Sequence, residues 1–435
     1  MSVWVVRAEA QNSAGDIADT GPDHSVEVES QPDSDTASEP EPRDTDVGPI
    51  ENRVGSANDV ILQLNTGAQK RDALFKSGPI AVLHPPWQEF NNKLDEQIDL
   101  RLGLTYYALF QYTTEGPDPR GASSGDFDFF GRWNVLKGEN RDLGQVGFNL
   151  EHRHAYSDIA PSDLNVSFGS IWRTTRGFTD TGFRFNELWW NHRFANDRVS
   201  LRIGTINQKH FYDLHSFKSQ KRFFLSTSLS DSPTIAFPRN GLGARLRVSP
   251  FEELHITAGI GDANGDRSVG GFDTFFGDAE FFSALEISFT PTFQDLGSGR
   301  YSVTLWHIDA RSKAGIPSGH GVSAVFEQEV LPGIVPFARY GYGNGAGLPV
   351  EHLAVLGVGC KRPFGADDDV AGVAASWARP RGGNFRDQWG IEMFYRFQFT
   401  SAIQITPGFQ VVFNPSLNPS KDVVGIFQMR LGVAF

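Results

Sequence analysis

The stretch that most constrains the fold is the last one, Gln388 to Phe435. Taken two residues at a time, Trp389, Ile391, Met393, Tyr395, Phe397 and Phe399 fall on one face, and Glu392, Arg396, Gln398 and Thr400 fall on the other. Ile403 and Ile405 then oppose Gln404 and Thr406, and Phe409, Val411 and Phe413 oppose Gln410. The final run sets Val423, Phe427, Met429, Leu431, Val433 and Phe435 against Gln428 and Arg430. Successive strand side chains point to opposite faces, so each run is a strand with one apolar and one polar side. Runs of about ten residues are long for a soluble sheet and match a tilted strand crossing a bilayer. The expectation is a transmembrane β-barrel whose lumen is the functional site.

Composition agrees. Gly (46) and Phe (36) are abundant, Met (3) is scarce, and no run of apolar residues is long enough for a membrane-spanning helix. Alternation hides a barrel's hydrophobicity, so the negative mean hydropathy is compatible with a membrane. A single cysteine, Cys360, excludes a disulfide framework and a cysteine metal cluster. The net charge of −13 is concentrated at one end: residues 1–60 carry 14 Asp and Glu against 3 Arg, while the rest is close to neutral. That acidity therefore says little about what the remainder binds.

Residues 1–58 read as a disordered acidic tail, too poor in large apolar residues to offset the entropy of ordering. Val3-Trp4-Val5-Val6 followed by Ala8-Glu9-Ala10 resembles a signal-peptide remnant without its charged start. An upstream start and a chance match both stay open. Residues 59–97, with Val60, Ile61, Leu62 and Leu64, a helical turn expected over 70–75, and Pro79, Pro85, Pro86 and Trp87, form a short irregular segment at or inside the barrel base. The barrel occupies 98–435.

Sixteen strand candidates follow, at 98–112, 125–136, 144–156, 182–194, 199–206, 240–249, 253–262, 279–291, 300–308, 320–330, 334–343, 352–362, 370–378, 387–400, 402–413 and 423–435. Those at 320–343 and 352–378 alternate poorly. Connections run long, short, long, short to the end. Short ones include 195–198, 250–252, 331–333 and Ser401; the longest, 207–239, follows the fifth strand. Outer-membrane barrels have short periplasmic turns and long external loops. The fold class is thus an all-β, 16-stranded antiparallel up-and-down transmembrane barrel, with both termini periplasmic.

Parity assigns the interior. Leu188, Trp190 and Phe194 face lipid, so Glu187, Trp189, Asn191 and Arg193 face the lumen. By the same rule Arg101, Glu151, Arg153, Arg202, Glu392 and Arg396 point inward. Arg and Glu hydrogen-bond vicinal hydroxyls and an aromatic face stacks on a sugar ring, so this lining suits neutral polyols. The plainer alternative is that these charges pair with one another and hold water. Asp262-Ala263-Asn264-Gly265-Asp266 lacks the Gly and Glu of a calcium loop and reads as an ordinary turn. His152 and His154 lie on the outward face, Gly341–Gly347 lacks the Lys-Ser/Thr of a phosphate loop, and no Ser/His/Asp arrangement has a defensible geometry. No metal or cofactor site and no catalytic residues are expected.

Several of these segments together resemble the carbohydrate-selective porins of the OprB type. The resemblance rests on Glu187–Phe194, Leu201-Arg202-Ile203-Gly204 leading to Phe211-Tyr212-Asp213, and Ala258–Ala263 with Gly271-Phe272. It ends with Glu392–Gln398, Thr406-Pro407, Gln410, Asn414-Pro415 and the terminal Phe435. It covers roughly residues 60–435. It implies a 16-stranded outer-membrane barrel passing mono- and oligosaccharides by passive diffusion. It also implies an infolded loop that narrows the pore, here 207–239 with His210, Phe211 and Asp213, and a terminal aromatic read by the barrel-assembly machinery. The acidic tail and the run Thr205–His210, where an Asp-rich stretch is expected, depart from the pattern and leave the preferred sugar open. Competing readings are a general or organic-acid diffusion porin and a plugged structural barrel. Expected partners are carbohydrates and outer-membrane lipids, not nucleic acid; monomer and homotrimer remain open.

Overall fold

A computed structural model describes residues 56–68, 73–75, 81–116, 118, 120–138, 142–265, 271–366 and 368–435. The expected tail therefore lies almost wholly outside the described residues. The barrel strands are β1 (Leu100–Thr113), β2 (Gly121–Lys137), β3 (Asp142–Ala155), β4 (Gly182–Phe194), β5 (Val199–Ile206) and β6 (Gly241–Val248). They continue with β7 (Leu254–Asp262), β8 (Phe281–Phe289), a two-residue β9 (Thr292–Phe293) in the next turn, β10 (Gly297–Ile308), β11 (Gly319–Gln328) and β12 (Ile334–Gly345). The last are β13 (Val350–Lys361), β14 (Val370–Pro380), β15 (Gln388–Gln398), β16 (Ile403–Phe413) and β17 (Val423–Ala434). Apart from β9, sixteen antiparallel strands form a continuous ladder, and β1 pairs with both β2 and β17, which closes the barrel.

The alternation is visible strand by strand. On β4, Leu188 and Phe194 are exposed while Glu187, Trp189, Asn191 and Arg193 are buried. On β17, Phe427, Met429 and Leu431 are exposed while Gln428 and Arg430 are buried. Large apolar side chains so form an outer band, as lipid contact requires. No helix among the described residues is long and apolar enough to cross a membrane.

One part of the expected loop rhythm fails. The β12–β13 connection, expected to be long, is only 346–349, whereas the opposite turn, expected to be short, spans 362–369. The cause is that β12 runs on to Gly345 and β13 starts at Val350, extending the sheet into the loop. Three of the four poorly alternating strands, β12, β13 and β14, also find an explanation. Their inward residues Val335, Phe337, Leu353, Val355, Val370, Ala374 and Ala378 are apolar and pack under Phe217, Phe224 and Leu229 of the loop between β5 and β6. A wall covered on both sides reads as a near-continuous apolar run, not as an alternation.

The segment before the barrel is more regular than the sequence implied. It holds two helices, α1 (Val60–Ala68) and α2 (His84–Ile98). The helical turn expected over 70–75 is not formed where the chain is described: the Leu74 and Phe75 N–H groups donate to the Gln398 and Phe399 carbonyls, lengthening the sheet. Residues 70–72 lie outside the described residues. Asp59 caps α1 by accepting from the Ile61 N–H at 3.0 Å. Val60, Ile61 and Leu64 then form a stripe on one face. That stripe is buried within the barrel, in one cluster with Phe130, Trp189, Phe282 and Trp306 from its walls. Helix α2 begins at Pro85-Pro86, where missing N–H groups cost nothing. It lies beside the start of β1: Asn91 exchanges two hydrogen bonds with the Leu102 backbone, both 2.9 Å, completing the ladder beyond the end of β17. The last residue closes the seam, Phe435 N–H to Leu104 C=O at 2.9 Å and Leu104 N–H to Phe435 C=O at 3.2 Å.

Candidate functional site

The interior is organised by the loop between β5 and β6, residues 207–240, which folds into the barrel. Its route is set by charged wall residues that grip its backbone. Glu286 on β8 accepts from the Asp213 N–H at 2.7 Å. Glu327 on β11 accepts from the Ser216 N–H and hydroxyl at 2.6 and 2.5 Å. Glu392 on β15 accepts from the Leu225 and Ser226 N–H groups, each at 2.8 Å. Arg430 on β17 donates to the Gln220 and Phe223 carbonyls, and Arg339 on β12 to the Ser228 carbonyl. Asp213, fully buried with φ 55°, pairs with Lys218 at 3.2 Å and Arg339 at 3.3 Å and accepts from Ser323 at 2.5 Å. Buried charges are tolerated when they are paired and hydrogen-bonded in this way.

The opposite wall has a separate cluster. The Asp126, Asp128 and Glu151 carboxylates lie within 4.8 Å of one another. Arg153 sits 2.5 Å from Glu151 and 3.3 Å from Asp126. Lys221 reaches across from the loop to both aspartates, so two cations already supply the countercharge. Beside this cluster, Arg202 stacks on the Trp189 ring with its guanidinium carbon 3.9 Å from the centroid and pairs with Asp59 of α1. Trp189 donates to Glu187 at 3.1 Å, and Glu187 also meets His210 at 3.1 Å.

These contacts place each residue singled out from the sequence. Glu187, Trp189, Arg202, His210 and Phe211 come together where α1, the wall and the loop meet, with Phe211 under the Arg202 and Arg245 guanidiniums. Glu151 and Arg153 join the acidic cluster. Asn191 accepts from Ser200 at 3.1 Å, and Arg193 lies 3.7 Å from Asp197 in the following turn. Glu392 and Asp213 hold the loop. Arg101 is at the rim, 2.7 Å from Asp95 of α2, and Arg396 donates to the Asp368 carbonyl at 3.0 Å. Most of these groups face inward and are engaged by protein.

Open space lies elsewhere. A vestibule of about 980 Å³ opens toward the long loops and is bordered by Arg153, Trp172, Arg173, Arg176, Arg184, Asp231, Arg239 and Arg311 among others. A second space of about 150 Å³, which shares Arg153, Arg176, Asp231 and Arg239 with it, is also bordered by Ser56, Asn58, Lys209, His210, Lys218, Lys221 and Asn240. Of the residues chosen from the sequence, Arg153 and His210 border these spaces. The Arg and Lys residues of the connections were missed. The signal was present, since 207–239 carries five Lys and Arg against two Asp. Burial alone would raise the Asp231 carboxyl, but Lys209 at 2.7 Å and Arg176 at 2.7 Å outweigh it and hold it below the usual carboxylate range.

A closed sixteen-strand barrel with an apolar outer band, a charged interior and an infolded loop defines the class: a bacterial outer-membrane barrel of the porin type. Residues 134–435 match the family described as "Carbohydrate-selective porin, OprB family", and the chain belongs to that family. Among relatives, Porin AaxA of Chlamydia trachomatis serovar L2 is 24% identical over 298 residues, covering 67% of this chain and 63% of that protein. Porin AaxA of Chlamydia muridarum is 26% identical over 263 residues, covering 58% and 55%. The chain thus spans less than two thirds of the length of these relatives. The high-pH structure of Pseudomonas putida OprB superposes with a TM-score of 0.67 at 14% identity, over 80% of this chain and 97% of that one. The low-pH structure of the same protein gives 0.54 at 13% identity, over 80% and 96%. These two likenesses are of fold.

Proposed function

We propose that the protein is a passive diffusion channel for small polyhydroxylated solutes, mono- and oligosaccharides, with loop 207–240 as its constriction and no catalysed step. The observation that carries this reading is the vestibule of about 980 Å³ beside a chamber of about 150 Å³, the two sharing Arg153, Arg176, Asp231 and Arg239. Its size falls in the range of small-molecule sites. In this reading both chain ends and the short turns face the periplasm and the vestibule faces outward. Liposomes carrying the protein should swell in isosmotic glucose and maltose faster than protein-free liposomes. Absence of swelling with every solute would favour a plugged barrel instead. The terminal aromatic fits recognition by the barrel-assembly machinery, because Phe435 also completes the seam. Deleting Phe435 should cut the amount of folded barrel in outer membranes, read as heat-modifiable mobility on gels; wild-type levels would remove that role.

A further inference from the structure

The cavities carry one charge almost exclusively. Six arginines border the vestibule, Arg153, Arg173, Arg176, Arg184, Arg239 and Arg311, against one described acid, Asp231, which Arg176 and Lys209 already bind. The adjoining chamber adds Lys209, Lys218 and Lys221. The countercharges are spent deeper in the wall, where Asp126, Asp128 and Glu151 hold Arg153 and Lys221. Nearer the mouth, donors are left over. Arg184 Nε and Nη2 and Arg311 Nε are buried with no hydrogen-bond partner among the described residues, and Arg239 is exposed with no ion pair among them. Guanidiniums that border an open cavity and lack a carboxylate partner are suited to carboxylate or phosphate oxygens. A narrow cleft lined by one sign of charge concentrates the opposite ion, and Arg and Lys linings serve anion pores.

We propose that the channel selects anionic solutes, small polyols bearing a carboxylate or phosphate group, and that Arg184, Arg239 and Arg311 form the vestibule site that recruits them. This rests on the diffusion reading above and names its substrate class.

The test uses the full-length protein in planar bilayers. In a KCl gradient the reversal potential should show anions more permeant than potassium, by a ratio of roughly 3 or more. Gluconate and glucose 6-phosphate should each alter the current at lower concentration than glucose, and comparing the two separates carboxylate from phosphate preference. Arg184→Gln with Arg239→Gln should bring the permeability ratio toward unity. If that double variant does not assemble, Arg239→Glu at the exposed position should lower the ratio by itself. Current without anion preference, or with glucose as effective as both anions, overturns the proposal while leaving the diffusion reading intact. An anion preference unchanged in the variants overturns the assignment to these arginines. A silent bilayer overturns the diffusion reading, and the selectivity with it.

Discussion

Replacing Arg202 with alanine unseats α1 and raises single-channel conductance severalfold. Arg202 is 1% exposed, and its ion pair to Asp59 joins the wall to the residue that caps α1. Removing one partner of a buried pair costs about 3–5 kcal/mol, because the other charge stays desolvated and alone. That is enough to shift a docking equilibrium by about a hundredfold or more. The loss is compounded by the stacking of Arg202 on Trp189. A helix with its side chains is roughly 10–12 Å across, so undocking it vacates a large part of the lumen cross-section. The matched experiment is deletion of residues 1–68, which should raise conductance to the same level and make Arg202→Ala silent when the two are combined. Equal conductance in wild type and both variants would mean that ions pass beside α1, not through the space it fills.

The second large effect belongs to the far wall. Glu392→Gln combined with Arg430→Ala should free the middle of loop 207–240 and turn a steady channel into a noisy one with larger openings. Glu392 accepts two loop N–H groups and an amide from Gln428, and Arg430 donates to two loop carbonyls. Hydrogen bonds to a charged group contribute about 1.5–3 kcal/mol each. A glutamine can accept one N–H but turns a donor toward the other, so part of the grip becomes repulsive. Phe217 and Phe224 keep the loop on the β12–β15 wall through apolar packing, so the variant should fluctuate and not lose the constriction outright. Current noise and open-state conductance indistinguishable from wild type would show that this apolar contact alone fixes the loop.

Most strand positions were readable from alternation because a barrel wall separates lipid from water at every second residue. β4 and β5 coincide with their expected spans, 182–194 and 199–206. Legibility failed where the wall meets neither. Strands β12–β14 face the loop's phenylalanines, so much of both faces is apolar and the period fades. Helix α1 shows the same limit: Val60, Ile61 and Leu64 announce an apolar stripe, but nothing local says that it docks inside the barrel against Arg202. Parity correctly turned Glu187, Trp189, Arg202 and Glu392 inward. It could not show that a distant loop would claim their hydrogen bonds, because that depends on pairs such as Leu225 with Glu392, far apart in the chain. The arginines of the vestibule were legible as local charge, but they come from separate strands and connections, and nothing local shows that they border one space.

The seam between β1 and β17 also sets an order of events in folding. Leu104 and Phe435 stand at opposite ends of the barrel sequence, and their pairing joins the first strand to the last. Hairpins between neighbouring strands close short loops, whereas this pairing closes one spanning every other strand, so it is entropically the last to form. Until the final strand arrives, β1 and the growing edge both present unpaired backbone groups, which template association with other chains. A chain interrupted within β17 would therefore be exposed at two edges at once. In the closed barrel, Asn91 of α2 covers the Leu102 N–H and C=O, the part of the β1 edge that lies beyond Phe435.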